Sequence, residues 1–139
     1  MRPNQWETDP VTIADLCLLA AFMLTHVSVT PAKLDGRRDY DNANPRNPGF
    51  YTPGLRARAL GAHQNGFEAF PFFAAAVILA EMRAAPQATV NALAVAFIVV
   101  RIVYVLMYLT NRPSARSAVW AIGLVCNLAI FFAPIWANR

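Results

Sequence analysis

Two sets of polar side chains lie within apolar stretches of this chain, at spacings that place each set on one face of a helix. The first set, at intervals of three and four residues, is Arg58, Gly61, Asn65 and Glu68. The second, at intervals of three and four, is Arg101, Tyr104 and Tyr108. Residues so spaced are neighbours on a helix surface. Facing each other or a neighbouring subunit, the two sets would form a cleft with cations, an amide and phenols, which suits a small anionic ligand with several carboxylates and amides.

A simpler interpretation is that Glu68 and Arg101 neutralise each other and hold two helices together. Buried ion pairs in membranes have this role. This interpretation gives Asn65, Tyr104 and Tyr108 no reason to share the same two faces. A binding site accounts for all five residues.

Other kinds of site have little support in the sequence. Cys17 and Cys126 both lie inside apolar runs, where they resemble small buried hydrophobic residues more than a disulfide or zinc framework. His26 and His63 lack any paired spacing, so we expect no metal site. The net charge of +4 comes without a basic cluster that alternates with aromatics, so we expect no nucleic-acid partner.

The helices that must position these residues are predicted to span a membrane. Of the 139 residues, 57% are hydrophobic and 14% charged, which is too apolar for an ordinary soluble domain. The mean hydropathy is +0.36, and the apolar residues form runs of about 20 residues, the length that crosses a bilayer. We predict an all-α, up-down four-helix bundle formed by one domain, residues 1–139, in contact with lipid, with spans at 11–31, 55–83, 88–110 and 115–137.

The distribution of basic residues predicts the orientation of the bundle. Eight lie on the side of the first and third connections and three on the other side. Because cytoplasmic loops carry the excess of Lys and Arg, we expect the polar loop at about 33–53 to be cytoplasmic and both termini to be on the opposite side.

Three segments of the chain resemble one family of membrane proteins. The segment from Arg58 to Pro71, RALGAHQNGFEAFP, is similar to the second-helix pattern R-A-H-x-N-x-x-E-x-x-P of the MAPEG family, membrane-associated proteins in eicosanoid and glutathione metabolism. The segment RIVYVLMY from Arg101 resembles the third-helix pattern R-x-x-[YH]-x-x-x-Y. The segment RPSARS, which ends in Arg116 and Ser117, resembles the turn that opens the fourth helix. Each piece is weak alone, but their order across four spans is specific.

This resemblance implies a bacterial-type member in the bacterial inner membrane that forms a homotrimer. It implies that glutathione, as cosubstrate, binds between subunits near the cytoplasmic face. Asn65 and Glu68 of one subunit, with Arg101, Tyr104 and Tyr108 of its neighbour, would hold the tripeptide. The resemblance also places Arg116 and Ser117 in the catalytic machinery, with Arg116 stabilising the thiolate.

The chain departs from the family pattern at Gly61, where MAPEG enzymes usually carry an arginine. Either a ligand contact is absent here or Arg58, one turn away, supplies it. Two functions are therefore open. The first is a glutathione-dependent transferase or peroxidase acting on lipophilic electrophiles, and the second is a non-catalytic membrane binding or assembly protein with the same fold.

Overall fold

The computed structural model describes residues 11–137, and its regular secondary structure over that range is helical. The elements are α1 Ile13–Val27, α2 Thr30–Asp35, a short 3-10 helix Pro48–Phe50, α3 Leu55–Met82, α4 Gln87–Leu109 and α5 Pro113–Ala137. Four segments are long and apolar enough to cross a membrane: Ile13–Asp35, Leu55–Met82, Gln87–Leu109 and Pro113–Ile135. The prediction of an all-α membrane fold with four spanning helices is confirmed.

The first span consists of two helices in succession. Helix α2 begins at Thr30 with Pro31 in its first turn, where a proline is tolerated because the first N–H groups of a helix have no partner within it. The predicted polar loop begins at Lys33, but that residue lies inside α2, which extends to Asp35. The loop proper is therefore shorter than the sequence suggested.

The charged residue near the start of α1 has a local structural role. The Asp15 carboxylate accepts from the Thr12 backbone N–H at 2.9 Å, and the Thr12 hydroxyl accepts from the Asp15 backbone N–H at 3.0 Å. This reciprocal pair is a capping box, which satisfies N–H groups that the first turn leaves free. The Asp15 carboxylate at the end of this membrane span therefore has a structural role that needs no ligand.

The loop after α2 folds back onto the start of α3. Arg56 in the first turn of α3 pairs with Asp35 and Asp39, each at 2.9 Å, and its guanidinium carbon lies 5.0 Å from the centre of the buried Phe50 ring. Gly36 leaves room for this contact, because a Cβ there would lie 2.7 Å from Arg56 Cζ. The contacts tie the loop to the end of the helix that carries the first polar face.

The core of the bundle lies between α1, α3, α4 and α5 and consists mainly of aromatic and small side chains. The Phe73 and Phe97 rings stack with centroids 4.1 Å apart, and both side chains are buried, as is Ile130. Large apolar side chains such as Ile122 and Val125 are exposed on the outside. This distribution is expected where lipid surrounds the bundle.

Helices α1 and α3 approach each other closely at Gly66. A Cβ at this position would lie 2.8 Å from Thr25 Oγ1 and 3.1 Å from Thr25 Cβ. Because Thr25 is buried and its hydroxyl donates to the Ala21 carbonyl at 2.9 Å, it cannot move aside cheaply. Small residues at helix contacts in membranes allow such close approach.

Gly66→Ala should therefore destabilise the fold by about 1–3 kcal/mol, the usual cost of overpacking. The measurement is thermal unfolding of the purified protein in detergent. Gly123→Ala is the matched control, because its Cβ would meet Val100 Cγ1 at 3.4 Å, an ordinary contact. Equal melting temperatures for the two variants would contradict the close approach at Gly66.

Candidate ligand-binding site

The two sets of polar residues lie on α3 and α4, and they meet through the side-chain amide of Asn65. Arg101 on α4 donates from Nη1 to Asn65 Oδ1 on α3 at 2.9 Å, and Asn65 Nδ2 donates to Glu68 Oε2 at 3.1 Å. Arg101 is 7% exposed. The ion pairs formed within residues 11–137 both involve Arg56, so the direct Glu68–Arg101 pair considered from the sequence is not formed. Asn65 stands between the two charges.

On α4, Arg101 is followed by two tyrosine rings, and a second cation from α5 contacts the last ring. The Arg101 guanidinium carbon lies 4.4 Å from the Tyr104 ring centre, and the Tyr104 and Tyr108 ring centres are 5.7 Å apart. The Arg116 guanidinium carbon lies 4.4 Å from the Tyr108 ring centre, because α5 starts only a few residues after α4 ends. We call the whole series the polar row: Glu68, Asn65, Arg101, Tyr104, Tyr108 and Arg116.

A cavity of about 260 Å³ opens beside the polar row between α3, α4 and α5. One end is polar, formed by Asn65, Glu68 and Arg101. The rest is mostly apolar and includes Ala69, Phe72, Phe97, Val119, Trp120, Gly123 and Leu124. A polar end joined to apolar walls can hold a polar ligand and a lipophilic one side by side.

The chain matches the MAPEG family over residues 13–136, nearly its whole length. It belongs to this family. No match was found among curated proteins or among solved structures. Family membership makes the chain a membrane protein of the glutathione/eicosanoid-metabolism family, in agreement with its four helices that are long and apolar enough to span a membrane.

The polar row brings together, within one chain, residues that the MAPEG resemblance divides between two subunits. Asn65 and Arg101 are hydrogen-bonded directly inside the subunit. The contact follows from the antiparallel packing of α3 and α4, which are joined by a short connection. A single subunit therefore carries both faces of the predicted cleft.

Arg116 completes the first turn of α5, and Ser117 follows it. The helix begins at Pro113, two residues before the predicted span, and the Arg116 N–H already donates to the Arg112 carbonyl at 2.9 Å. The Ser117 hydroxyl donates to the Pro113 carbonyl at 3.1 Å. The N–H groups that the start of α5 leaves without a helical partner directly precede Arg116 in the chain. The Arg116 side chain itself faces the polar row.

Gly61 and Tyr108 form a matched pair. A Cβ on Gly61 would collide with the Tyr108 hydroxyl and lie 2.7 Å from Tyr108 Cζ. The place that a MAPEG arginine would occupy is therefore filled by the phenol. Arg58 is engaged elsewhere, since its Nε donates to the Leu109 carbonyl at 3.0 Å, where a cation stabilises the C-terminal end of α4.

One buried polar residue was missed from the sequence. Asn127 in α5 is 4% exposed and lines the cavity. The available signal was a neutral amide in the middle of the last apolar run, which a search for charged residues overlooks. Its position at the apolar part of the cavity distinguishes it from the polar row.

Proposed function

We propose that this protein is an integral-membrane glutathione-dependent transferase or peroxidase that acts on lipophilic electrophiles. The observation that carries the proposal is the polar row, in which Asn65 separates the Glu68 carboxylate from the Arg101 guanidinium. Because these charges do not neutralise each other directly, both are available to a ligand with an ammonium group and carboxylates. Glutathione has these groups, two amides and a thiol.

The proposed binding mode assigns one role to each part of the polar row. Glu68 binds the ligand ammonium group and Arg101 a carboxylate, while Asn65 and the phenols of Tyr104 and Tyr108 bind amide and carboxylate groups. These contacts would hold the tripeptide near the cytoplasmic face. Arg58 remains a candidate only through the guanidinium nitrogens other than Nε, which is bonded to the Leu109 carbonyl.

Arg116 is proposed to stabilise the thiolate, and Ser117 lies beside it in the same turn. A free thiol has a pKa near 8.5, and a neighbouring cation favours the thiolate, which is the nucleophile. In the transferase reaction the thiolate sulfur attacks an electrophilic carbon, the leaving group departs with the bonding electrons, and the thiol proton goes to solvent. In the peroxidase reaction two glutathione molecules reduce a hydroperoxide to an alcohol and water and become the disulfide.

The thiolate absorbance of glutathione tests this proposal. Adding glutathione to the purified protein at neutral pH should produce an ultraviolet difference signal. S-methylglutathione, which has no ionisable thiol, should bind without that signal. Absence of the signal, together with no turnover on a panel of lipophilic electrophiles, would contradict the proposal.

A non-catalytic binding or assembly protein is the second candidate function. The Gly61–Tyr108 packing favours it, because the phenol fills the space of the family arginine and removes a cation from the site. The Ser117 hydroxyl is likewise engaged by the Pro113 carbonyl. A binding protein would retain glutathione affinity and show neither thiolate formation nor dependence on Arg116.

The proposal includes assembly as a homotrimer. Gln64 and Glu68 on α3 are exposed in the single chain, although α3 is long and apolar enough to span a membrane. Leaving such groups against lipid is costly, so a neighbouring subunit that covers this face would stabilise the fold. Native mass spectrometry of the protein in mild detergent checks the subunit number.

We propose that the protein lies in the bacterial inner membrane. The loop between α2 and α3 and the turn between α4 and α5 would face the cytoplasm, and both termini would lie on the other side. In a variant with Cys17 and Cys126 replaced by alanine, Asn42→Cys should be protected from an impermeant thiol reagent in intact cells. Ala88→Cys, in the exposed start of α4, should react. The opposite labelling pattern would overturn the orientation.

A further inference from the structure

Asn127 has an unsatisfied hydrogen-bonding group in the interior of the bundle. The residue is 4% exposed, and its Oδ1 has no hydrogen-bond partner among residues 11–137. Buried polar groups in folded proteins are almost always paired, and in a membrane no bulk water compensates a missing partner. An amide oxygen buried in the bundle without a partner among these residues points to a partner from outside them.

The cavity beside Asn127 can admit such a partner. Its walls beyond the polar end are apolar and aromatic, and they include the buried Phe97 and the partly exposed Phe72, Trp120 and Leu124. The partly exposed side chains lie on the outside of the single chain, so the cavity is open at its surface. The volume of about 260 Å³ is suited to a small hydrophobic molecule.

We infer that this cavity binds a neutral lipophilic molecule with a hydroxyl group, which donates its hydrogen bond to Asn127. Apolar walls disfavour charged ligands, and a carboxylate has no proton to donate. A hydroxyl both donates and accepts, so it suits the Asn127 amide in either of its two flipped orientations.

The cavity adjoins the residues that are proposed to bind glutathione. Its far end is formed by Asn65, Glu68 and Arg101, so a molecule bound at Asn127 would lie next to the proposed glutathione site. That this neutral, hydroxyl-bearing lipophile is the electrophile of the reaction rests on the proposed function. That the cavity binds such a molecule does not rest on it.

A matched pair of probes tests the site in the absence of glutathione. Naphthol and its methyl ether, methoxynaphthalene, have similar shapes, but only naphthol has a donor. Calorimetric titration of the full chain in lipid nanodiscs, with empty nanodiscs subtracted, should give tighter binding of naphthol by about fivefold to tenfold, as one added hydrogen bond provides. In Asn127→Leu this preference should disappear while the ether still binds.

A second variant keeps the test decisive if Asn127→Leu does not fold. Leu124→Trp leaves Asn127 in place and adds bulk to the cavity wall, so both probes should lose affinity at least fivefold. A wild-type protein without preference for naphthol, an Asn127→Leu variant that keeps the preference, or unchanged binding in Leu124→Trp would each overturn the inference. Since glutathione is absent from these titrations, failure to bind glutathione overturns only the proposed function.

Discussion

Arg116→Ala should lower turnover with a chlorinated dinitrobenzene by about a hundredfold or more, while glutathione affinity changes only a few fold. The magnitude is that of removing one preorganised group that stabilises developing or full negative charge. The Arg116 guanidinium carbon is held 4.4 Å above the Tyr108 ring, so the cation is positioned before the ligand arrives. A loss confined to rate is expected because the tripeptide would be bound mainly by Asn65, Glu68 and Arg101.

The adjacent arginine provides a matched control. Arg112 precedes α5, is exposed, and contributes its carbonyl to the first turn of the helix through the Arg116 N–H. Arg112→Ala removes one positive charge from the same turn without touching the Tyr108 ring and should keep nearly full turnover. Equal losses in the two variants would indicate a general interfacial charge effect, and unchanged turnover in Arg116→Ala would show that Arg116 does not stabilise the thiolate. Only a wild-type protein without turnover would favour the non-catalytic function.

The membrane fold could be predicted because lipid imposes simple requirements on a sequence. A run of about 20 apolar residues is sufficient to indicate a spanning helix, and α1, α4 and α5 were expected on that basis. Helix α2 was not, because its six residues, Thr30–Asp35, include a proline and two charged residues. Their helical state depends on the position of Pro31 in the first turn, which composition does not reveal.

The candidate site was predictable where it follows helical spacing. The face of α4 with Arg101, Tyr104 and Tyr108 needs only the period of one helix. The Gly61–Tyr108 contact depends on the register between α3 and α4, which no single helix determines. The unpaired state of Asn127 likewise emerges only when three helices are packed.

Loss of Arg101 and loss of Glu68 should be coupled through Asn65. Because Arg101 donates to Asn65 and Asn65 donates to Glu68, the three side chains form one network. In a double-mutant cycle of Arg101→Leu and Glu68→Gln, the losses in glutathione binding free energy should deviate from additivity by about 0.5–3 kcal/mol. Arg101→Leu alone should weaken binding about tenfold or more, since it removes a charged partner of the ligand.

A further variant distinguishes one hydrogen-bonded network from two independent contacts of Glu68 and Arg101 with the ligand. Repeating it with Asn65→Leu in the background should reduce the coupling, because the amide is the link between the two charges. Glu81 is the matched control, since it is the other carboxylate of α3 and is hydrogen-bonded to Thr12 and Gln87 at the opposite end of the bundle. Glu81→Gln should be additive with Arg101→Leu. Additive losses for Glu68 and Arg101, measured both by binding and by thermal unfolding, would show that the two residues act separately and that the polar row is not a shared site.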